Sequence, residues 1–373
     1  MTATVAGQPD ANPADLVRGP HGVSTRRAAL LETILPAVVA LLIAALVGDL
    51  LILSFGQSPG AVYRLLLDGT WGNAYGFGQV LYKTTTLTFT GLAVSIGLRA
   101  GLFNVGAESQ LAAGGFCAAL IGLILPAGLP WLAVLPVFML AAATGGGIVG
   151  GIPGALKAKF GAHEVITTIM LNFVVLALLN YFVAAHLKVP GSLHTKEIAT
   201  GAIPRLETLY SGFHGSAANY VLVLALFWAV AVWWFLFKTR RGFELRATGL
   251  QPLAAEYGGV NVGKIWVIAM SRSGAIAGLG GLNYVLGYKH YYEEGFAGGA
   301  GFLGIAVAIV GRTHPVGVVV AALLFATISQ GGLAVNALVP KEFVDVLQAV
   351  VIITVAASVP EVHQLLRARR TVR

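Results

Sequence analysis

The sequence predicts an all-α, polytopic membrane protein of about ten transmembrane helices. Only 11% of its 373 residues are charged, against roughly 25% in a soluble domain, and 57% are hydrophobic. Mean hydropathy is +0.80, and apolar runs of about 20 residues, the length that spans a bilayer, recur from Thr33 almost to the C-terminus. Such a chain cannot cover a water-exposed surface, so most of it is expected to lie in hydrocarbon.

The apolar runs place ten spans, of which the eighth is short. We expect residues 1–28 to be a disordered cytoplasmic tail, residues 29–362 the transmembrane domain, and residues 363–373 a basic cytoplasmic tail. The spans are predicted at residues 33–56, 79–98, 103–125, 131–153, 164–186, 218–237, 265–287, 299–311, 315–335 and 343–359.

The distribution of Lys and Arg orients these spans. Sixteen of the 24 basic residues fall on the side that holds both termini, seven fall on the other side, and Arg272 lies within the seventh span. Because short cytoplasmic loops carry an excess of Lys and Arg, the side with sixteen is predicted to be the cytoplasm. The same bias accounts for the net charge of +8 without a nucleic-acid partner.

Two polar stretches are longer than the usual connections between helices. Residues 187–217 are predicted to form an external loop, which could receive an extracytoplasmic partner or serve as a lid. Residues 238–264 are predicted to be cytoplasmic, with one short helix that ends near Gly258 and lies across the membrane surface. Its charged and apolar side chains are suited to a protein partner.

The motifs of common enzymes are missing or out of context. The segment GGVNVGK at Gly258–Lys264 has the spacing of a phosphate-binding loop, but Ile265 stands where a hydroxyl must hold Mg²⁺ and no strand precedes it. No HExxH sequence, cysteine pair or nucleophile elbow occurs. We therefore expect no enzymatic activity and no cofactor bound by this chain.

Small residues recur at helical spacing in two spans. Gly146, Gly150 and Gly154 follow one another at intervals of four, as do Gly274 and Gly278. Such faces let the backbones of membrane helices approach closely. We expect these glycines to form helix–helix contacts.

Five polar residues within the third and fifth spans are the candidates for a substrate pathway. Polar groups in hydrocarbon are costly unless they are partnered, which makes them functional candidates. The alternative is that they only join helices by hydrogen bonds. The candidates are Asn104, Glu108, Gln110, Thr168 and Asn172.

Glu108 has two further interpretations, an ion pair with Arg99 or a role in the first turn of its helix. We expect Glu108→Gln mainly to destabilise the subunit, and Asn172→Ala to lower transport at unchanged stability. Arg272 lies roughly 10 Å inside its span at 1.5 Å per residue, and its long side chain could reach back to the cytoplasmic face.

Four segments resemble one known family of permeases. FNVGAESQ at Phe103–Gln110 is similar to the FN[IV]GAEGQ signature of permease subunits in nucleoside and simple-sugar ABC importers. EVITTIMLN at Glu164–Asn172 and the segment Arg240–Val262 resemble the EVISTIMLN and cytoplasmic-loop motifs of that family. Gly301–Ala326 is similar to its GFxGIAVALLGxxxPxGxxxAALLFG segment. The four occur in the same order across about 220 residues.

This resemblance implies a type II importer permease in a bacterial plasma membrane, related to the branched-chain amino acid and ribose permeases. It also implies a separate ATP-binding subunit that hydrolyses ATP, a second permease subunit, which we expect to be a related but unlike chain, and an extracytoplasmic substrate-binding protein. The expected contact with the ATP-binding subunit lies in the cytoplasmic loop, at Arg241, Gly242, Glu244, Arg246, Gly249, Pro252, Ala254 and Tyr257.

A nucleoside is the favoured substrate, because the long external loop and EVITTIMLN look like the larger of two unlike permeases in nucleoside systems. A ribose-like sugar is the alternative, and an ion-coupled secondary transporter is a second one. Ser109, His163 and Arg272 depart from the family pattern, which leaves the permease role in place but the substrate open.

Overall fold

The computed structural model describes residues 42–336, 338–340, 342 and 344–354. The predicted tails, residues 1–28 and 363–373, lie outside these described residues. In chain order the α-helices are α1 Leu42–Ser54, α2 Pro59–Asp68, α3 Ala74–Arg99, α4 Ala107–Ile124, α5 Trp131–Phe160, α6 Glu164–Phe182, α7 Val221–Lys238, α8 Arg240–Leu250, α9 Pro252–Tyr257, α10 Val262–Leu279, α11 Gly281–Val285, α12 Ala300–Val310, α13 Pro315–Val335 and α14 Val344–Thr354.

The predicted all-α membrane class is confirmed. Six of the described helices are long and apolar enough to cross a membrane, and a seventh joins them if α1 and α2, which meet at a bend of 112°, form one broken span. Each of the ten predicted spans overlaps at least one helix, but α12 and α14 are short. The count of ten spans therefore stays a prediction.

Helices α5 and α10 pack closely against each other. A methyl group at Gly146 would meet the backbone oxygen of Gly274, and one at Gly278 would meet the backbone oxygen of Ala142. Gly150 lies equally close to the backbone of Met270. The predicted glycine contacts are confirmed, since only residues without a side chain allow the two backbones to approach this closely.

Helix α3 runs through the interior of the bundle beside α10, α12 and α13. Its residues from Leu87 to Gly97 are all buried. Gly91 packs against Val307 of α12 and Val318 of α13. Because α3 is enclosed by protein, it can carry a threonine-rich segment, residues 84–90, whose hydroxyls partly bond to carbonyls one turn earlier.

Helix α12 is half a span. Its 11 residues extend about 16 Å at 1.5 Å per residue, against a hydrocarbon core of about 30 Å. The loop before it is rich in glycine, and Gly295, Gly298 and Gly299 all have positive φ. This loop sets the N-terminus of α12 well inside the bundle, next to Glu108 of α4.

The two long polar stretches are both structured. Residues 187–217 pack on the segment after α11, since Thr195, Ile198 and Ile203 donate backbone hydrogen bonds to carbonyls between Leu286 and Tyr292. Residues 238–264 contain two helices, α8 and α9, rather than the one helix predicted. The break falls at Gln251, because Pro252 disfavours a helical conformation at the residue before it.

Candidate functional site

Two of the predicted site residues bond to each other at the start of α4. The side-chain amides of Asn104 and Gln110 bond to each other in both directions, at 2.8 Å from Asn104 Nδ2 to Gln110 Oε1 and 3.0 Å from Gln110 Nε2 to Asn104 Oδ1. Asn104 Nδ2 also donates to Ser273 Oγ at 2.7 Å, and that hydroxyl donates to the carbonyl of Ala93 at 2.6 Å. This buried chain of bonds connects α4, α10 and α3.

Asn172 joins α6 to the turn before α4. Its Nδ2 donates to the carbonyl of Val105 at 2.9 Å, and its Oδ1 accepts from the backbone N–H of Ser109 at 3.1 Å. The Ser109 hydroxyl in turn donates to the carbonyl of Gly106. A helix leaves its first N–H groups unpaired, and Asn172 supplies an acceptor to one of them from a neighbouring helix.

Thr168 shares the face of Asn172 on α6 and is fully buried. Its hydroxyl bonds within its own helix, donating to the carbonyl of Glu164 at 2.7 Å. Glu164 itself forms an ion pair with Lys157 of α5, at 2.6 Å between Nζ and Oε2. The first turn of α6 is thereby fixed to the last turn of α5.

Glu108 caps the N-terminus of α12. Its Oε1 accepts from the N–H of Gly299 at 2.8 Å, and its Oε2 accepts from the N–H of Gly301 at 2.7 Å. The ion pair with Arg99 considered from the sequence is not formed, because Arg99 donates instead to the backbone carbonyls of Thr313 and Arg312. The carboxylate does meet a helix N-terminus, but that of α12 rather than that of its own helix.

The main cavity lies beside these residues. It has a volume of about 730 Å³ and opens between α3, α12, α13 and α14. None of the five predicted pathway residues lines it, although Leu111 next to Gln110 does. The polar side chains on its wall are Tyr82, Lys83, Thr86, Tyr284, Ser329, Asp345 and Gln348.

Aromatic rings form part of the wall of this cavity. The rings of Tyr284 and Phe296 lie 4.9 Å apart between centroids, and Phe302 also lines the wall. The glycines before α12, Gly298 and Gly299, complete this part of the surface with exposed backbone. A cavity with aromatic faces and separate polar groups can hold a ligand that has a flat ring and several hydroxyls.

Sequence reasoning missed the residues that line the cavity. Lys83 is one of the seven basic residues assigned to the outer side, and its Nζ donates to Ser329 Oγ at 3.2 Å on the cavity wall. Asn283 was also missed; its Nδ2 donates to Thr86 Oγ1 at 2.8 Å, behind the wall. An amide and an ammonium within apolar spans were the signal that could have found them.

The predicted partner segment divides into an inner and an outer face. On the inner face, Gly242 is buried and Gly249 packs against the backbone of Arg99 and Gly101. Arg246 also lies on this face, with its Cζ 5.1 Å from the ring centroid of Phe237. Glu244 pairs with Arg240, and Pro252 is half-buried. The residues left exposed are Arg241, Ala254 and Tyr257, with the apolar Phe243, Leu250 and Leu253 beside them.

The half-span helix α12, the cavity beside it and the exposed segment of α8 and α9 fit a multi-pass membrane permease. The family described as "Branched-chain amino acid transport system / permease component" matches residues 76–356. The chain belongs to this family and is a permease subunit of a type II ABC importer.

Three relatives match over most of their length. The chain is 37% identical to the guanosine ABC transporter permease protein NupP of Bacillus subtilis, over 88% of this chain and 94% of the relative. It is 32% identical to the nucleoside ABC transporter permease protein NupB of Lactococcus lactis, over 87% and 90%. It is also 32% identical to the glucose ABC transporter permease protein TsgB13 of Haloferax volcanii, over 86% of each chain. No solved structure matches this chain.

Proposed function

We propose that this permease subunit carries nucleosides. The similarity to the guanosine and nucleoside permeases supports this proposal, and the observation that carries it is the cavity whose wall combines aromatic rings with polar side chains. A nucleobase can stack on Tyr284, Phe296 or Phe302, and the ribose hydroxyls can bond to groups such as Ser329 and Gln348.

A simple sugar is the second candidate, supported by the similarity to a glucose permease. A sugar lacks the flat conjugated ring of a base, so it gains less from the aromatic side chains of the cavity wall. Base–aromatic stacking contributes about 1–3 kcal/mol per base, which favours the nucleoside at this site. The two candidates therefore differ in how strongly transport depends on the aromatic side chains.

The five residues predicted from the sequence are proposed to act on the pathway indirectly. Their polar groups bond within the protein, and they hold α4, α6 and α12 beside the cavity. A direct contact of Asn104, Glu108, Gln110, Thr168 or Asn172 with substrate stays a prediction, as does the absence of a cofactor bound by this chain.

The energy for transport is proposed to come from a separate ATP-binding subunit that docks on α8 and α9. The exposed side chains Leu250, Leu253 and Tyr257 support this proposal, because their apolar surface suits a groove on a partner. We further propose a second, unlike permease subunit and an extracytoplasmic substrate-binding protein. Both termini would be cytoplasmic in a bacterial plasma membrane, as the distribution of Lys and Arg suggests.

The test is uptake into proteoliposomes that contain the complete transporter and enclosed ATP. We expect ATP-dependent uptake of labelled guanosine that unlabelled nucleosides inhibit and ribose or glucose does not. Inhibition by the sugars but not by the nucleosides would show that the substrate is a sugar. Uptake driven by an ion gradient without the ATP-binding subunit would overturn the whole proposal.

Two variants test whether the substrate binds in the cavity. Phe296→Ala should reduce guanosine uptake by about tenfold, since roughly 1.4 kcal/mol of lost stacking corresponds to a factor of ten. The matched control is Phe173→Ala, because Phe173 is 71% exposed on α6 and does not line the cavity. Equal effects of the two variants would place the substrate elsewhere.

A further inference from the structure

Cationic side chains gather around one aromatic ring at the end of the bundle that carries α8. The Cζ of Arg99 lies 5.4 Å from the ring centroid of Phe237, and the Cζ of Arg246 lies 5.1 Å from it. The imidazole of His314 lies 5.5 Å from the same ring between centroids. These residues, with Arg312 on the adjoining turn, are called here the Phe237 cluster. They come from α3, α7, α8 and the turn between α12 and α13.

The Phe237 cluster contains donors that have no acceptor. Arg246 Nε and Arg312 Nη2 are both buried and without a hydrogen-bond partner. Arg99 is bonded only to backbone carbonyls of the same turn. Throughout the described residues, the carboxylates that form ion pairs do so with other cations, and none is paired with Arg99, Arg246 or Arg312.

The cationic groups of the Phe237 cluster repel one another. Burial first, and the charge of Arg99 second, lower the pKa of His314, so its imidazole is neutral at pH 7. Three guanidinium groups remain, and these stay protonated in proteins. Arg99 and Arg246 are close enough to repel each other. Since unpaired buried donors are costly, an anion bound by these guanidinium groups would stabilise the Phe237 cluster.

Apolar surface leads away from the cluster along two helices. Val223, Phe227, Val230 and Trp234 are 58–65% exposed, and they share one face of α7 that ends at Phe237. On α13, Val316 and Val320 begin an exposed face two residues after His314, at 63% and 64% exposure. The Phe237 cluster is thus cationic, while the surfaces that extend from it are apolar.

We propose that the Phe237 cluster binds the headgroup phosphate of an anionic phospholipid, with the acyl chains along the exposed faces of α7 and α13. A free anion would use the guanidinium groups but not the apolar faces, whereas a phospholipid uses both. Basic recesses at the end of membrane helices are suited to anionic headgroups, each Lys or Arg contributing about 1 kcal/mol. This inference goes beyond the proposed transport function and does not depend on the substrate.

The test is a titration of the purified full-length chain in detergent with phosphatidylglycerol, followed by native mass spectrometry. Arg246→Gln and Arg312→Gln should each weaken binding of the first lipid by about fivefold to tenfold. The matched control is Arg240→Gln on the same helix as Arg246, because Arg240 is exposed and paired with Glu244. Its affinity for the lipid should stay unchanged. Thermal unfolding of each variant shows whether a loss of lipid binding results from loss of the folded structure. If Arg246→Gln is unstable, Arg312→Gln provides the test.

Four results would overturn the proposal. Equal loss in Arg240→Gln would mean attraction to bulk surface charge, and equally tight binding of phosphatidylcholine would mean that the anionic headgroup is irrelevant. Displacement of the lipid by millimolar inorganic phosphate would mean that a free anion binds the Phe237 cluster. If Arg246→Gln still binds the lipid but no longer assembles with the ATP-binding subunit, the cluster binds a carboxylate of that subunit and not a phospholipid.

Discussion

Glu108 Oε2 accepts a hydrogen bond from the backbone N–H of Gly301 at 2.7 Å, across two helices that are far apart in sequence. The other carboxylate oxygen accepts from Gly299. The helix that they cap, α12, begins inside the bundle and has no side-chain cap of its own. Glu108 therefore offsets both the unpaired N–H groups and the positive end of the dipole of a buried half-helix.

Glu108→Gln should destabilise the subunit. The glutamine amide has one oxygen and one nitrogen, so the N–H of Gly299 or Gly301 loses its acceptor and faces a donor instead. A buried donor left unpaired costs about 1–3 kcal/mol, which thermal unfolding in detergent can measure. Glu256→Gln is the control, since Glu256 is exposed on α9. Equal unfolding temperatures for Glu108→Gln and the native chain would contradict the capping role.

The structure changes the expectation for Asn172→Ala. From the sequence we expect lower transport at unchanged stability, but the side chain bonds two buried backbone groups, the Val105 carbonyl and the Ser109 N–H. Removing it leaves both unpaired, so the free energy of unfolding should fall by about 1–3 kcal/mol. Uptake per folded molecule should be close to native. Low uptake at native stability would instead support direct contact with the substrate.

Much of the fold was predictable because a membrane-spanning helix requires a long run of apolar residues. Every predicted span overlaps a described helix, and the spacing of small residues predicted that Gly146 and Gly274 lie in helix–helix contacts, although not that they contact each other. The bend between α1 and α2 was not predicted, nor was the break at Gln251. A hydropathy pattern records burial in lipid, and a bend or a short loop within an apolar run changes that pattern very little.

The site was less predictable, because a polar residue within a span can bond either to a substrate or to another part of the protein, and the sequence does not distinguish the two. Asn104, Gln110 and Asn172 are polar at membrane depth, as a pathway residue would be. Yet Asn104 bonds to Gln110 and Ser273, and Asn172 bonds to backbone groups at the start of α4. Lys83 lies on the cavity wall, but its position near the end of a span resembles that of a loop residue. Only the three-dimensional arrangement shows which polar groups face a cavity and which face protein.

Two substitutions in the segment of α8 and α9 should separate docking from folding. Ala254 is exposed, so Ala254→Trp should block assembly with the ATP-binding subunit while the permease unfolds at its native temperature. Gly249 packs against the backbone of Arg99 and Gly101, so Gly249→Val should displace α8 and lower the unfolding temperature itself. Copurification and thermal unfolding measure the two effects. Normal copurification and uptake with Ala254→Trp would move the docking surface away from α9.

Neighbouring glycines on α5 should respond oppositely to alanine. At Gly146 the new methyl group would collide with the backbone oxygen of Gly274, whereas at Gly147 its nearest neighbour would lie 3.4 Å away. Gly146→Ala should therefore destabilise the subunit by about 1–3 kcal/mol, as overpacking does. Gly147→Ala should be stabilising by up to about 1 kcal/mol through helix propensity. Equal unfolding temperatures for both variants would show that α5 and α10 are not in close contact.

The stability of the subunit should fall in acid partly through His290, which lies in the loop between α11 and α12. Burial of the imidazole first, and the nearby charge of Arg205 second, lower the pKa of His290, and Glu197 offsets this only in part. A folded pKa below the unfolded value of about 6.5 means that the unfolded chain binds the proton more readily. The resulting stabilisation is complete above pH 6.5 and is lost as the pH falls through the folded pKa.

His290→Asn removes this titration without straining the backbone, because the residue has a φ of 62° and asparagine tolerates the left-handed region. The difference in unfolding temperature between pH 8 and pH 5 should be smaller in His290→Asn than in the native chain. His186→Asn is the matched control, since His186 is exposed at the end of α6, and it should leave the pH dependence near native. If His290→Asn loses as much stability in acid as the native chain, the acid sensitivity belongs to other groups and the imidazole of His290 is as accessible to protons as in the unfolded chain.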